Sequence, residues 1–169
     1  DSSVVLVTTS QELIDAVDVD LDIQVGDLPD VRATAARASL GPNGGAVLVN
    51  NLNEAADVAN MYAPEHLQLA VSEQYEEAML DLLVNAGEIL IGQHTPFSAG
   101  NFVIGCPASL PTSGFAHVSS GITVDAFLKK TAVAKATEPA LRRMSNSITA
   151  LSDHEGFSAH GNAIRRRFG

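Results

Sequence analysis

Four short apolar runs, spaced so that a helix-patterned segment falls between each and the next, constrain what this chain can fold into. Val4-Val5-Leu6-Val7-Thr8, Ala46-Val47-Leu48-Val49, the alternating Leu67, Leu69 and Val71, and Glu88-Ile89-Leu90-Ile91-Gly92 read as strands. Continuous β-rich runs such as the first two and the last are the pattern of parallel strands covered on both faces. Thr9-Ser10-Gln11-Glu12 matches a capping box and opens a helix carrying Leu13, Ile14 and Val17 at helical spacing. A second helix is expected between Pro29 and Leu40, ended by the turn cluster Gly41-Pro42-Asn43-Gly44-Gly45. Asn53 is read as the cap of a third, which Pro64 stops near Tyr62, and Ser72 as the cap of a fourth ending at Gly87. Strands alternating with helices of about ten to fifteen residues predict an α/β fold, an incomplete Rossmann-like parallel-sheet domain. No G-x-G-x-x-G follows any of the strands, so the chain carries no dinucleotide fingerprint of its own.

The charge is divided as sharply as the pattern. Residues 1–123 hold 2 basic and 16 acidic side chains, and residues 124–169 hold 8 basic and 4 acidic, for a net charge of −10. We therefore expect two parts: an α/β body over 1–123, with a loop at 95–121, and a small helical C-terminal arm over 124–169. The loop is rich in glycine and proline, yet it holds Phe97, Phe102, Val103, Ile104 and Leu110, whose burial would make it an ordered binding loop and not a linker. The arm reads as three short helices at 124–135, 138–151 and 157–167, with too little apolar surface to fold alone. An acidic body repels phosphates and the arm matches no nucleic-acid module, so a nucleic-acid partner is not expected; the arm is expected to dock on the body or on a neighbour's. No apolar run approaches the roughly 18 residues that span a bilayer, so no membrane partner is expected either. Cys106 is the single cysteine and cannot form an internal disulfide, which fits a reducing, cytoplasmic compartment. Asp1 stands almost directly before an apolar strand, which we read as a fragment with a segment upstream.

Ala63-Pro64-Glu65-His66-Leu67 places a carboxylate and an imidazole side by side where a helix gives way to a strand. That is a common seat for proton transfer. With Ala86-Gly87-Glu88-Ile89-Leu90-Ile91-Gly92, Leu110-Pro111-Thr112-Ser113-Gly114, Ser119-Ser120-Gly121, and Glu155-Gly156 followed by His160, the chain resembles the C-terminal part of histidinol dehydrogenases, motif by motif and in order. The resemblance implies an oxidoreductase of histidine biosynthesis that takes L-histidinol through histidinal to L-histidine with NAD and zinc. It also implies a homodimer in which the arm completes the partner's site. Glu65 would activate water for attack on the aldehyde, and His66 would take the hydroxyl proton. Glu155 would contact the substrate, and His160 would contact the substrate and ligate zinc. An upstream portion of the same protein would supply a second Rossmann-like domain and two further zinc ligands, and without it this portion alone is expected to be inactive.

Two positions depart from the family pattern. Asn101 stands where the resemblance places a zinc-binding aspartate, and Ala108 where it places a substrate-contacting histidine. An amide oxygen is a neutral ligand and a methyl group cannot hydrogen-bond, so these departures suit a relative acting on a different small alcohol with an altered or lost metal site. A third reading is a non-catalytic dimerisation module. Taken as residues alone, Glu65 and His66 are also simple polar groups in a connection, Asn101 a turn former beside Gly100, and Cys106 a small buried residue. Ser152-Asp153-His154-Glu155 is itself a capping box for the last helix, and His160 has the look of a helix-surface histidine. His94, His117 and His154 have no partner at ligand spacing and are expected at the surface.

Overall fold

The computed structural model describes residues 2–168. They form two compact units, Asp1–Phe127 and Leu128–Gly169. The first is a parallel α/β body. Strand β1 (Val5–Thr8) leads into helix α1 (Gln11–Gly26), and α2 (Asp30–Leu40) leads back to β2 (Gly45–Leu48), which pairs parallel to β1 with Val5 opposite Gly45 and Thr8 opposite Leu48. Helix α3 (Leu52–Tyr62) then precedes β3 (His66–Leu69), and α4 (Glu76–Leu82) precedes β4 (Glu88–Ile91); β3 and β4 form a second parallel pair. A single turn α5 (Phe97–Ala99) runs into a π-helical turn at Gly100–Ile104. The α/β expectation is met, with the sheet divided into these two ladders.

The helix starts differ in detail from the sequence expectation, for local hydrogen-bonding reasons. Ser10, and not Thr9, caps α1, its Oγ accepting from the Leu13 N–H at 3.1 Å. The Thr8 hydroxyl meanwhile accepts from the Ser10 N–H, which ties the strand to the cap. Asn51, and not Asn53, caps α3: its Oδ1 accepts from Glu54 N at 2.9 Å, and the Glu54 carboxylate reaches back to Asn50 N at 2.9 Å. Together these bonds satisfy donors that a helix start leaves free. The amphipathic helix expected from Ser72 to Gly87 is a 3-10 turn at Glu73–Tyr75 followed by only Glu76–Leu82. Its end is set from outside. Asn60 on α3 accepts from the N–H groups of Val84 and Asn85 and donates to the Leu82 carbonyl, which pulls the chain out of the helix and into the approach to β4.

Alternation along β3 and β4 sorts their side chains. Leu67, Leu69 and Ile89 pack with Ala56 and Ala59 of α3 and with Met79 and Leu83, forming the core of this unit. The other face of the pair carries His66, Gln68, Glu88 and Leu90, because successive strand residues point to opposite sides. The Gly100–Ile104 turn covers that face closely: a Cβ on Gly100 would stand 3.0 Å from Leu90 Cδ2 and 3.2 Å from Glu88 Oε1, tight enough that these side chains would have to shift. Burial on both faces is not met at β2, where Leu48 is 51% exposed. Nor are Phe97, Phe102, Val103 and Ile104 buried in the loop; they are 42%, 82%, 80% and 52% exposed, the last three because the π-turn points them away from the ladder it covers with Gly100.

In the second unit, α6 (Glu138–His154), capped by Thr137, and α7 (Ser158–Phe168) form a helical hairpin around Gly156, which adopts a left-handed φ of 76°. The guanidinium of Arg165 on α7 pairs with Asp153 on α6 at 2.8 Å, and Arg142 lies over the ring of Phe168. Two expectations fail here. Residues 124–135 are not a helix: a 3-10 turn spans Val124–Phe127 and no regular element follows before α6, where β-branched Val133 is 91% exposed and finds no packing partner. Nor is Ser152–Glu155 a capping box. Ser152 lies inside α6 with its hydroxyl donating to the Ile148 carbonyl, and Glu155 closes that helix. Among the described residues no helix is long and apolar enough to cross a membrane.

Candidate active site

Helix α3 ends on Ala63, a buried non-glycine residue in the left-handed region at φ 50°, and Pro64 forbids its continuation. This reversal delivers Glu65 and His66 to the start of β3. There the strand register sets His66 opposite Glu88. Paired residues of parallel strands project to the same face, so the imidazole meets a carboxylate 22 residues further along the chain.

Four groups surround the His66 ring. Its Nε2 lies 3.0 Å from Asn101 Oδ1 and 3.5 Å from Glu88 Oε1, its Nδ1 lies 3.7 Å from Glu65 Oε1, and Phe97 packs edge-on with ring centres 5.5 Å apart. Glu65 is the open member, with 40% of its side chain exposed, while His66 keeps 25%. Glu88 is the closed one. Its side chain is 5% exposed and neither carboxylate oxygen meets a well-formed hydrogen-bond partner. Half-buried Cys106 also faces Glu88. Hydrogen bonding of the thiol toward that carboxylate, helped by burial and by the negative charge, raises its pKa above the ordinary thiol value, so it is no ready nucleophile.

The structure thus brings together Glu65, His66 and Asn101 from the sequence expectation. Glu155 and His160 belong to the second unit, where Glu155 closes α6 and exposed His160 stacks edge-on against Phe157. His94, His117 and His154 are exposed, as expected. Glu88 was missed, although it had a signal: a lone carboxylate opening an otherwise apolar parallel strand. Near this cluster the loop shapes an open cleft of about 410 Å³, lined among others by Leu110, Pro111, Thr112 and Phe115; its Pro111 wall also flanks Gly87 at the start of β4.

Zinc does not fit the residues assembled here. Among the described residues no group of three or more His, Cys, Asp or Glu side chains converges as a metal site, and the amide oxygen of Asn101 is already engaged by His66. Nor do the residues form a dinucleotide cradle: the turns from β1 to α1 and from β2 to α3 contain no glycine with which to approach a pyrophosphate.

The whole chain has relatives. A family model described as histidinol dehydrogenase matches residues 1–168. The histidinol dehydrogenase of Synechocystis sp. is 39% identical over 167 residues, covering 99% of this chain and 38% of the relative. That of Methanosarcina mazei is 34% identical over 165 residues, with 98% and 37% covered. The crystal structure of histidinol dehydrogenase from Elizabethkingia anophelis superposes with a TM-score of 0.88 at 29% identity, over 98% of this chain and 37% of that one. The chain therefore spans little more than a third of the length of the relatives it matches. Matched by that family model over nearly its whole length, it belongs to the histidinol dehydrogenase family.

Proposed function

We propose that this chain supplies the proton-transfer groups of an NAD-linked enzyme that oxidises L-histidinol through histidinal to L-histidine, acting as a homodimer together with a further portion of the same protein. The observation that carries the proposal is the Glu65–His66 pair: two adjacent, partly exposed proton acceptors, held 3.7 Å apart by a helix stop and a strand start. Loss of hydride from an alcohol is favourable only as the hydroxyl proton leaves, and oxidation of an aldehyde requires that water first add to it. His66 suits the first task. With Nε2 engaged by Asn101 Oδ1, the ring nitrogen left on the side where Glu65 is open to solvent is Nδ1. Glu65 suits the second, taking a proton from water as the water oxygen bonds to the aldehyde carbon. NAD, when bound, accepts hydride in both oxidations; the groups described here move protons only. Glu155 and His160 are proposed to reach the substrate from the arm, with His160 a zinc ligand if ligands from outside this chain complete a site.

The test is NADH release by the complete protein with L-histidinol. Two NADH per substrate are expected. Glu65→Gln should still give the first and slow the second by roughly 10²- to 10⁴-fold, the usual worth of a positioned acid or base. A normal second oxidation in that variant would remove Glu65 from the mechanism. A specific observation favours a second reading: Asn101 is turned to His66 and Ala108 offers no side-chain hydrogen bond, so the site is less suited to a metal-held imidazole substrate. A folded, dimeric protein that oxidises another small alcohol but not L-histidinol would establish that reading.

A further inference from the structure

Glu88 is the one buried ionisable side chain of the cluster that the proposed chemistry does not use. Its position is built into the fold: the β3–β4 register puts it opposite His66, and Gly100 closes over it so nearly that a Cβ there would stand 3.2 Å from Glu88 Oε1. Its carboxylate lacks a full hydrogen-bond partner, yet it lies 3.5 Å from His66 Nε2. Asn101 Oδ1 approaches the same nitrogen at 3.0 Å. An amide can turn its donor end toward a ring nitrogen, whereas an ionised carboxylate can only accept. Nε2 thus faces two oxygens, one of them on a buried carboxylate, whereas Nδ1 faces a single, more exposed carboxylate at 3.7 Å, so Glu88 draws the hydrogen of a neutral His66 to Nε2.

We propose that Glu88 is a positioning residue: with Asn101 it holds His66 as the Nε2–H tautomer and leaves Nδ1, beside Glu65, as the atom that takes the substrate proton. Phe97 fixes the ring plane from its edge without a hydrogen bond, and Glu65, at 3.7 Å and 40% exposed, competes for the hydrogen from the Nδ1 side less strongly than the buried Glu88 does from the other. A partner that fixes the tautomer of a working histidine commonly changes activity by about 10- to 100-fold when removed, without touching substrate.

The tautomer itself can be read in the complete protein labelled with 15N-histidine, the His66 signals being those lost in His66→Gln. The Nε2–H pattern is expected in the wild type, whereas Glu88→Gln, whose amide can turn either end to the ring, should show a share of Nδ1–H. Glu88→Leu should populate Nδ1–H and lower kcat by about 10- to 100-fold with KM within about 2-fold, and Glu88→Gln should lie between it and the wild type. The Nδ1–H pattern in the wild type, or an unchanged tautomer in folded Glu88→Leu, would overturn the proposal. Should Glu88→Leu not fold, the wild-type and Glu88→Gln spectra still decide. The kcat comparison rests on the function proposed above, whereas the spectra do not: a protein inactive on L-histidinol but showing Nε2–H keeps Glu88 in this role and removes only the substrate.

Discussion

Replacing Gly87 by alanine tests whether the contact between the entry to β3 and the neighbouring β4 is as tight as the structure shows. A Cβ at Gly87 would stand 2.5 Å from the carbonyl oxygen of Glu65, 3.3 Å from its carbonyl carbon and 3.1 Å from Pro111 Cδ. The first distance is short of a comfortable contact by roughly 1 Å, and the obstacle is backbone, which cannot rotate away. The same two segments are joined by Gly87 N–H to the Pro64 carbonyl at 2.9 Å and Glu88 N–H to the Glu65 carbonyl at 3.0 Å. Relief of the clash must stretch one or both bonds. Overpacking costs about 1–3 kcal/mol and each backbone bond about 1 kcal/mol, so we expect a loss of about 2–4 kcal/mol. At about 3–4 °C per kcal/mol for a unit of this size, Tm should fall by about 10 °C. Because the displaced carbonyl belongs to Glu65, turnover should fall as well, by about 100-fold for a shift near 1 Å. Gly26→Ala is the control: it lies at the end of α1 with nothing within 4 Å of the new Cβ, and should be neutral or stabilising by about 0.4–1 kcal/mol. Paired thermal melts and NADH assays on the complete protein check both. If Gly87→Ala matched Gly26→Ala in Tm and in rate, the close approach and the argument from it would be wrong.

Two pH-dependent outcomes follow from the shifted groups. The Glu54 carboxyl is held below its ordinary value, first by the Asn50 backbone N–H and then by the Asn50 side chain, so its cap of α3 contributes fully above the ordinary carboxylate pKa of 4.5 and is lost as pH falls through the lowered value. Glu54→Gln should therefore be less stable than the wild type at pH 7, with the gap closing as pH falls through the lowered value, a difference that urea midpoints will read; a gap that persists in acid would refute the ionic cap. For Cys106 the sign is opposite: its raised pKa favours the thiol in the folded state, so this contribution is present below the ordinary thiol pKa and is lost as pH rises through the raised value. Iodoacetamide should label Cys106 more slowly than it labels a free thiol at pH 8, and faster in Glu88→Leu, where the largest cause of the shift is gone; an unchanged labelling rate would remove Glu88 as that cause.

The α/β class was legible because burial leaves a period in the sequence, and the four strands with the helices between them follow that period. The seat of Glu65 and His66 was legible too, since a helix running toward Pro64 from upstream cannot continue through it. What the sequence did not disclose depends on register and on competition for hydrogen bonds. Nothing in Glu88-Ile89-Leu90 says that Glu88 lies opposite His66, because that pairing is fixed by the length of the excursion through α4 between β3 and β4 and by the Asn60 clamp that ends it. At 152–155 the capping-box letters are present, but α6 from Thr137 onward already claims those residues, and a box inside a running helix has no free N–H groups to satisfy. At 124–135 helix spacing existed without a partner surface, and an unpartnered amphipathic segment has little to hold it helical.

The placement of Glu88 sets activity against stability in one residue. The neighbouring face of the same ladder shows what the fold does where it is free to choose: Leu67, Leu69 and Ile89 close on α3 and α4 as a wholly apolar layer. On the other face, Leu90 is 2% exposed while Glu88, two residues earlier, is buried with both oxygens short of partners. A carboxylate taken from water without full hydrogen bonding costs several kcal/mol, and replacing such a group by an apolar side chain of similar volume is commonly neutral or stabilising by about 1–4 kcal/mol. Glu88→Leu should accordingly melt at or above the wild-type temperature while losing turnover. A residue kept only for packing would show the reverse, a lower melting temperature and an undisturbed rate per folded molecule. The two directions of change therefore separate a carboxylate retained to hold His66 from one that merely fills the space beneath Gly100.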